Sequence, residues 1–569
     1  MTIINLNNLS RNQNLIFNKI IKKIKFDYDK LINEVSKNHI DNIHWIVGSI
    51  ASRNKYQSPL FIRCAQLYFI KDCYNNQNGK ISIISNDSCL CKLIKNHYSE
   101  ISITCNESLP NLIWRKLRPP RQFVISLTLL ILRFFSRKKI NINEFIGKNI
   151  TIIDTFVINN KSGDDGSIVN GIYKDRYYPG LFENIDNDLK ENIYFMPTII
   201  GFLNPYNIFQ KIRNCNYNFI VPDDFLKISD YVKAISQPFK LINLKIDNIN
   251  FHEFSVRDLL IEERLRNSCD FISILGVLYF LFAKRLAKNK IDVRLLIDWY
   301  ENQVIDRGLI KGFHSFYKDT PVYGYQGYVI SRDLHIYSQP NLSEFLGNCV
   351  PDKVLVTGKG LKKYIKEFYK DVKVDVAPGF RFGKVFENTN IDFPKTFSVL
   401  IGLPIGLSDC KMILKSLLSI SKNNKLNFNI NFYIKPHPTY TADQMKSLVK
   451  DSRIESFNFL NGDFHNSLNK VNLVISNASS ICLEALTKKR FVIILAPKSG
   501  VLQNPIPSCV SKKIWKIAFD NQELINYIIY FKNLENLKYN KDFEYVKENF
   551  FEPVTKEGVL KFLNFEERK

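Results

Sequence analysis

The sequence predicts an α/β protein with two doubly wound units in tandem, each a parallel sheet covered by helices. The 569 residues exceed what one core holds at roughly 100–200 residues per domain. Hydrophobic residues make up 45% and charged residues 24% of the chain, a globular composition that excludes a wholly disordered protein. From Ile43 onward, short β-rich apolar runs alternate with helical stretches, as expected for strands linked by crossover helices.

The candidate strands form two series, and Gly, Pro or Asp closely follows most of them. The first series is Trp45–Val47, Ile81–Ile84, Ile150–Ile153, Ile193–Phe195, Phe219–Val221, Val293–Ile297, Val322–Tyr325 and Val354–Val356. The second series is Ser398–Ile401, Asn429–Ile434, Leu473–Ile475 and Phe491–Leu495. The periodicity breaks around Ala377–Pro394, which predicts a domain joint there. We therefore expect a helical extension over residues 1–42, an N-terminal domain over 43–385 with a basic helical insert near 115–140, and a C-terminal domain over 386–569.

The net charge favours an acidic partner. Lys and Arg number 79 against 55 Asp and Glu, a balance of +24, which attracts nucleotide-sugars, anionic lipid, anionic glycan or nucleic acid. The basic residues are dispersed, and no zinc finger or RNP-like motif is present, so nucleic acid is disfavoured. The 11 cysteines show no CxxC pair and no zinc-ligand spacing, which predicts reduced thiols and no metal site. The N-terminus lacks a secretory signal pattern, and we expect a cytoplasmic protein.

Two apolar runs bear on membrane association, and both are shorter than the roughly 20 residues that span a bilayer. Gln122–Phe135 has basic flanks, which predicts either an in-plane helix on anionic lipid or a core helix with solvated ends. Phe271–Ala283 has the pattern of a core helix, with a membrane-surface helix as the alternative. The flanks of the first run are Arg115, Lys116, Arg118, Arg121, Arg137, Lys138 and Lys139.

The strongest candidate site follows the strand predicted at Asn429–Ile434. Lys435-Pro436-His437-Pro438 comes next, and its prolines forbid helix continuation and fix an abrupt turn. Open α/β sheets bind ligands beyond the carboxyl ends of their strands, and Lys435 and His437 lie at such an end. A stiff loop with a cation and an imidazole suits a phosphate group, while a loop histidine that bonds only its neighbours is the alternative.

A second candidate site follows the strand predicted at Leu473–Ile475. Ser476, Ser479 and Ser480 precede a helical run, and hydroxyls beside free helix N–H groups form an anion pocket. Simple N-capping is the competing explanation, although one Ser would suffice for it. Glu484 lies one turn inside this helix, where it either accepts ribose hydroxyls or complements the helix dipole.

The KPHP turn and the later Ser-rich loop with Glu484 together resemble the donor site of GT-B glycosyltransferases that use CMP-activated sugars, namely bacterial sialyltransferases and Kdo transferases. The resemblance implies two Rossmann-like domains facing across a cleft, with the donor nucleotide on the C-terminal domain and the acceptor on the N-terminal one. It also implies that His437, Ser479 and Ser480 contact the CMP phosphate. Binding the leaving phosphate in this way requires no divalent metal.

The N-terminal half is similar to bacterial surface-carbohydrate biosynthesis proteins through Asp175–Leu181, Trp299–Gln303 and Gly324–Gly327. Glu301 follows the strand predicted at Val293–Ile297, which delivers a carboxylate to the sheet edge as a general base or acceptor ligand. A solvated loop Glu is the alternative, and Asp298 competes for the role. The further cleft candidates in these segments are Asp175, Arg176, Asn302, Gln303 and Gln326.

Two other carboxylates rival Glu301 for the catalytic role. Asp154 ends the strand predicted at Ile150–Ile153. Asp165 lies in Asp164-Asp165-Gly166, which resembles the acidic-acidic-Gly motif that supplies the base in sialyltransferases but is also an ordinary turn sequence. Asp186-Asn187-Asp188 follows no apolar strand, so we interpret it as a solvated loop and not as a metal-binding DxD motif.

The sequence therefore predicts a metal-independent GT-B glycosyltransferase of capsule, O-antigen or lipopolysaccharide biosynthesis. The expected donor is the CMP ester of a Kdo-like or sialic-like sugar, as co-substrate and without a further cofactor, and the expected acceptor is a glycan or lipid-linked glycan. We expect a cytoplasmic protein attached to the inner face of the membrane. The alternatives are a CDP-polyol phosphotransferase of the teichoic-acid type and a non-catalytic protein that binds polyanions or a membrane surface.

Overall fold

Two parallel sheets organise the chain, in agreement with the predicted fold class. The computed structural model describes residues 2–76, 80–158, 166–200, 205–387, 393–421, 426 and 428–565. Within these ranges, each of the two sheets has six strands, and every pairing in them is parallel. Two such sheets facing each other form the GT-B arrangement.

The first strand of the N-terminal sheet along the chain, Asn149–Ile158, lies in the interior of that sheet. The next strand pairs on one side of it, and the chain then crosses to its other side to form Asp292–Trp299. This reversal leaves a crevice at the carboxyl ends of Asn149–Ile158 and Asp292–Trp299, the position where doubly wound sheets bind ligands. From edge to edge the strands are Val374–Val376, Lys353–Val356, Val322–Gln326, Asp292–Trp299, Asn149–Ile158 and Ile193–Ile200.

The C-terminal sheet repeats this plan. From Phe397–Gly402 the chain builds two strands on one side, then crosses over and builds three on the other. The crevice therefore lies between the end of Phe397–Gly402 and the end of Leu473–Ser476. From edge to edge the strands are Asn458–Phe459, Ile430–Lys435, Phe397–Gly402, Leu473–Ser476, Phe491–Leu495 and Trp515–Ala518.

The N-terminal region differs from the expected helical extension over residues 1–42. It begins with the strand Thr2–Asn5, which joins Ile81–Ser85 and Ser102–Cys105 in a separate parallel sheet. The helix Arg11–Ser36 packs on this sheet in a core of its own. The strand predicted at Trp45–Val47 is wrong, because Ile43–Ile46 is helical with Asn42 as its N-cap. The run Phe219–Val221 contributes a single bridge, between Phe195 and Phe219.

Helices cover the sheets, and the long ones carry most of the core. In the N-terminal part the α-helices are Arg11–Ser36, Ile43–Ile46, Ser49–Ser52, Leu60–Asn76, Ser88–His97, Leu109–Ser136, Asn187–Lys190, Pro205–Arg213, Pro222–Phe225, Ile228–Ile235, Gln237–Ile242, Arg257–Asn267, Phe271–Lys288, Val304–Phe316, Leu342–Leu346 and Lys362–Ile365. In the C-terminal part they are Leu407–Ile420, Ala442–Lys446, Phe464–Leu468, Ile481–Thr487, Asn521–Lys532, Asn540–Phe550 and Lys556–Phe562.

The helix Phe271–Lys288 is a core helix, as its pattern predicts. Its apolar side chains are buried beneath the N-terminal sheet. It packs against Val304–Phe316 at two glycines, because a Cβ on Gly308 would lie 2.0 Å from the carbonyl oxygen of Gly276. A contact this close is sterically impossible for any larger residue.

Both chain ends cross between the two large domains. The last helix, Lys556–Phe562, packs on the N-terminal sheet, where the ring of Phe562 lies 5.0 Å from that of Phe380 and 5.3 Å from that of Tyr325. At the other end, the side chain of Asn14 donates to the carbonyl of Pro497 at 2.9 Å. The helix Lys556–Phe562, which falls within the span 386–569 expected for the C-terminal domain, thus packs on the N-terminal sheet, and these crossings tie the domains together.

Candidate active site in the interdomain cleft

The loop Tyr300–Gln303 carries Glu301 out of the strand Asp292–Trp299. Asp306, in the first turn of the following helix, accepts hydrogen bonds from the backbone N–H groups of Glu301 at 3.0 Å and Gln303 at 2.9 Å. Asn302 adopts the left-handed conformation with φ of 57°, which Asn tolerates better than most residues. The loop is thus fixed at both ends, and its one carboxylate side chain is that of Glu301.

Both carboxylate oxygens of Glu301 accept hydrogen bonds. The indole N–H of Trp299 donates to Oε1 at 3.1 Å, and the amide of Gln303 donates to Oε2 at 2.5 Å. Burial raises the pKa of Glu301, while these two hydrogen bonds and the Arg381 charge oppose the rise. A carboxylate with a raised pKa in a fixed orientation has the properties of a general base.

One guanidinium group, that of Arg381, lies beside Glu301, and a second, that of Arg176, lies near Arg381. Arg381 belongs to the short helix Phe380–Val385, and its guanidinium carbon lies 5.7 Å from the ring centroid of Tyr177 and 5.9 Å from that of Trp299. Burial lowers the pKa of Arg381, and the neighbouring Arg176 lowers it further, whereas Tyr177, Glu484 and Glu301 raise it. The sequence analysis selected Arg176 but missed Arg381.

His437 faces this guanidinium pair from the C-terminal domain. Burial lowers its pKa to about 4, and the charges of Arg176 and Arg381 contribute to the shift. The backbone N–H of Thr439 lies 3.3 Å from Nδ1, which favours the tautomer with the proton on Nε2. A neutral imidazole with a free Nε2–H donor is therefore the form present at neutral pH.

Glu484 occupies the other side of Arg381. Ser480 Oγ donates to its Oε1 at 2.9 Å, and His465 Nε2 lies 3.0 Å from its Oε2. Ser479 contributes a weak contact, in which the N–H of Ile481 lies 3.5 Å from its Oγ. Ser480 and Glu484 thus reach the cleft as predicted from their positions, and His465 is a neighbour that the sequence analysis missed.

Two predicted donor ligands have other roles in the structure. Ser476 is fully buried, and its hydroxyl donates to the carbonyl of Gly402 at 2.7 Å. Lys435 turns toward the loop after the neighbouring strand, where its ammonium hydrogen-bonds the carbonyl of Gly462. Both side chains therefore brace the strand ends that carry the site.

Asp154 lies beneath the cleft floor. Its side chain is 2% exposed, and it accepts a hydrogen bond from Thr198 Oγ1 at 3.0 Å. Burial, and after it the Asp306 charge, raise its pKa far above the usual range, which favours the protonated form. Asp298, its equally buried neighbour on the adjacent strand, has a pKa raised by burial and the same charge. Neither residue reaches solvent, which corrects the catalytic assignment of Asp154, and Asp165 lies outside the described residues.

Three of the predicted cleft residues are structural. Asn302 donates to the carbonyl of Tyr337 at 2.7 Å and to Glu344 at 2.9 Å. Gln326 is fully buried and donates to the carbonyl of Ser338 at 2.6 Å. Asp175 accepts from the backbone N–H groups of the two residues that follow Arg176, at 2.8 and 3.0 Å. These side chains shape the loops that present Glu301 and Arg176, and Gln303 orients Glu301 directly.

A polar bridge closes the opposite end of the cleft. Lys55 of the N-terminal domain donates to Gln503 of the C-terminal domain at 2.9 Å, and Gln503 donates to Asp409 at 3.4 Å. Burial lowers the pKa of Lys55 to about 7, although the Asp409 charge raises it. No sequence motif marks these residues, because the two hydrogen bonds join positions that are 448 and 94 residues apart.

No family model matches the chain, and no curated protein matches it in sequence. Several solved structures share its fold at low identity. S. aureus MnaA, solved with UDP, is 10% identical with a TM-score of 0.41, and the match covers 73% of this chain and 95% of that one. Neisseria meningitidis UDP-GlcNAc 2-epimerase, solved with UDP-GlcNAc, is 12% identical with a TM-score of 0.38, and the match covers 73% of this chain and 98% of that one. The wall teichoic acid polymerase TagF, solved with CDPG, is 12% identical with a TM-score of 0.37, and the match covers 80% of this chain and 96% of that one. These likenesses are too distant to bear on the activity of this chain.

Proposed function

We propose that this protein is a glycosyltransferase of cell-surface polysaccharide biosynthesis that transfers a Kdo-like or sialic-like sugar from its CMP ester. One observation carries the proposal: a carboxylate, a guanidinium pair and a neutral imidazole from two facing domains converge where both sheets present their carboxyl edges. Glu301 supplies the carboxylate, Arg176 and Arg381 the cations, and His437 the imidazole. Open α/β sheets bind their ligands at this edge.

The donor phosphate is assigned to His437. With Nδ1 facing the N–H of Thr439, its Nε2–H is available for a hydrogen bond to a phosphate oxygen. As the bond between the anomeric carbon and the CMP phosphate breaks, negative charge grows on that phosphate, and fixed donors stabilise it. Ser479 and Ser480 follow the strand Leu473–Ser476, two strands away in the same sheet, and belong to the same donor half of the cleft.

Glu301 is assigned to the acceptor side. If the reaction inverts the sugar, the Glu301 carboxylate takes the proton of the acceptor hydroxyl while that oxygen attacks the anomeric carbon and CMP leaves. If the configuration is retained, the same carboxylate attacks the anomeric carbon first. The raised pKa of Glu301 strengthens it as a base in either route.

A nucleotide screen tests the donor assignment. CMP should raise the melting temperature more than CDP, UDP, GDP or ADP does, and His437→Ala should abolish the effect. His314→Ala is the matched control, because His314 contacts Asn348 and Asp352 near the opposite edge of the N-terminal sheet. Preference for CDP with glycerol-phosphate turnover would replace the proposal with the teichoic-acid alternative. Polyanion binding lost in modest salt, without nucleotide binding, would indicate the non-catalytic alternative.

Peripheral attachment to the inner face of the cytoplasmic membrane is the second part of the proposal. The helix Leu109–Ser136 exposes apolar side chains along one face, among them Val124 at 62% and Phe135 at 74%. Ile228, Val232 and Phe239 of the adjacent helices are also 59–64% exposed, and they extend this face into an apolar surface. No helix in the described part of the chain is long and apolar enough to cross a membrane.

The charge around this surface matches an anionic bilayer. Exposed cations surround it and have no carboxylate within ion-pair distance among the described residues: Lys116, Arg121, Lys138, Lys139, Lys233 and Lys240. Apolar burial combined with basic residues at the rim is how in-plane helices bind anionic lipid. The burial of Arg133 against Asp223, at 2.5 Å, anchors the opposite face of the same helix to the protein.

Liposome co-sedimentation tests the attachment. The protein should sediment with anionic vesicles at low salt and remain in solution beside neutral ones. Ile131→Asp and Phe135→Asp, both at exposed positions, should release it without lowering its melting temperature. Leu537→Asp, at a position 59% exposed in the C-terminal domain, is the control and should bind like the wild type. Equal sedimentation of all variants would assign the lipid contact to another surface.

A further inference from the structure

The half-buried Arg176 and Arg381 differ from the fully buried Arg53 and Arg307. Arg53 and Arg307 both pair with Glu344, at 2.8 and 2.5 Å. In contrast, neither Arg176 nor Arg381 makes a hydrogen bond, or an ion pair within 4 Å, to any residue that the structure describes. A guanidinium carries five N–H donors, so this pair presents many donors without acceptors.

Electrostatics makes the pair unfavourable without an anion. Burial removes water from Arg381, and Arg176 adds a like charge, so both effects lower the pKa of Arg381. The carboxylates that oppose them, Glu301 and Glu484, are already hydrogen-bonded to other partners. Cations that have lost water are normally paired, and an anion bound beside Arg381 would offset both effects on it.

The position of the pair indicates which part of a ligand it meets. Arg381 interacts with Glu301 on the acceptor side and with Glu484 on the donor side, and both guanidiniums interact with His437. A group bound by the pair therefore lies between the side chains assigned to the nucleotide phosphate and the carboxylate assigned to catalysis. That is the region of the transferred group.

We propose, on the basis of the function proposed above, that Arg176 and Arg381 bind a second anionic group of the donor, beyond the phosphate held by His437. For a CMP-ulosonic acid this group is the sugar carboxylate, and for a nucleoside diphosphate it is the second phosphate. Guanidinium groups bind either oxyanion through paired N–H donors. The pair thereby selects donors that carry two negative centres.

Calorimetric titration with three probes tests the pair: CMP, CDP and CMP-3-fluoro-N-acetylneuraminic acid, a donor analogue that resists hydrolysis. In the wild type, the probe with the correct second anion should bind at least tenfold more tightly than CMP. Arg381→Met and Arg176→Met should each remove this gain and change CMP affinity by less than threefold. Lys190→Met, which removes a charge from the exposed helix Asn187–Lys190 of the same domain, is the matched control and should retain the gain.

The outcomes separate this inference from the proposed function. A gain for the fluoro-sugar identifies the carboxylate, and a gain for CDP identifies the second phosphate. A gain that survives in both Arg variants overturns the inference but leaves nucleotide binding at His437 in place. A parallel loss of CMP and analogue affinity also overturns it, because the pair would then belong to the first phosphate site. Failure of the wild type to bind any probe overturns the proposed function as well.

Discussion

Replacing Glu301 by Gln tests the chemical role of the loop Tyr300–Gln303. The amide keeps the size of the side chain but removes its basicity, so turnover should fall by about 10²–10⁴-fold. One of the two hydrogen bonds to Glu301, from Trp299 at 3.1 Å or Gln303 at 2.5 Å, loses its acceptor. That loss costs about 1 kcal/mol of folding free energy, and removal of a buried carboxylate charge offsets part of it.

Donor binding should respond to Glu301→Gln in the opposite direction. The Glu301 charge opposes anion binding at the neighbouring Arg381, so its removal should leave the affinity for CMP-sugar unchanged or increased. Initial rates of CMP release measure the turnover, and titration calorimetry with a hydrolysis-resistant donor measures the affinity. A combined loss of turnover and donor affinity would mean that Glu301 organises the donor site.

Asp154→Asn is the matched comparison. Asp154 is buried, burial raises its pKa, and an amide oxygen can still accept the hydrogen bond from Thr198. Turnover should therefore stay within about threefold of the wild type. An inactive Asp154→Asn protein beside a nearly normal Glu301→Gln protein would refute the assignment and return the catalytic role to the strand Asn149–Ile158.

Further predictions concern protonation and packing. The imidazole of His437 should titrate near its pKa of about 4, and bound CMP should raise this pKa. The affinity for CMP should therefore increase as the pH falls from 7 toward 5. An NMR titration of His437 that CMP does not change would contradict the phosphate assignment. The pKa of His437 in the folded state lies below the unfolded value of about 6.5. His437 should therefore reduce the free energy of unfolding as the pH falls from about 6.5 to 4. His437→Ala should lessen this loss of stability, as measured by chemical denaturation. Gly308→Ala should lower the free energy of unfolding by at least about 3 kcal/mol, because its Cβ would lie 2.0 Å from the Gly276 carbonyl oxygen. Gly383→Ala is the control and should lower it far less, because no atom lies within 4 Å of a Cβ built there. Equal stability of the two variants would contradict this packing.

The central strands were predictable from the sequence because their residues are buried on both faces. Leu473–Ile475 is a continuous apolar segment, and Val293–Ile297 is interrupted only by Arg294. The structure extends them by one and three residues, to Leu473–Ser476 and Asp292–Trp299. The edge strand Val374–Val376 was missed because it is half-buried and contains Asp375. Ile43–Ile46 was misassigned because its four residues are too few to reveal a helical period.

The candidate site was predictable in part. His437, Ser480, Glu484 and Glu301 follow strands, and position alone indicated the sheet edge. Arg381 follows no strand of either predicted series, and its importance comes from Glu301 and Glu484, which are 80 and 103 positions away. Ser476, which also follows a strand, instead bonds the neighbouring strand. Sequence position gives the edge of a sheet, and the direction of a side chain at that edge depends on the fold.

The crystal structure of the complex with CMP tests the central claim most directly. The account predicts the nucleotide in the cleft between the two sheets, with a phosphate oxygen within about 2.7–3.2 Å of His437 Nε2. The guanidinium groups of Arg176 and Arg381 should lie between this phosphate and Glu301 without binding the phosphate themselves. A nucleotide bound outside this cleft, or one whose phosphate does not contact His437, would contradict the account.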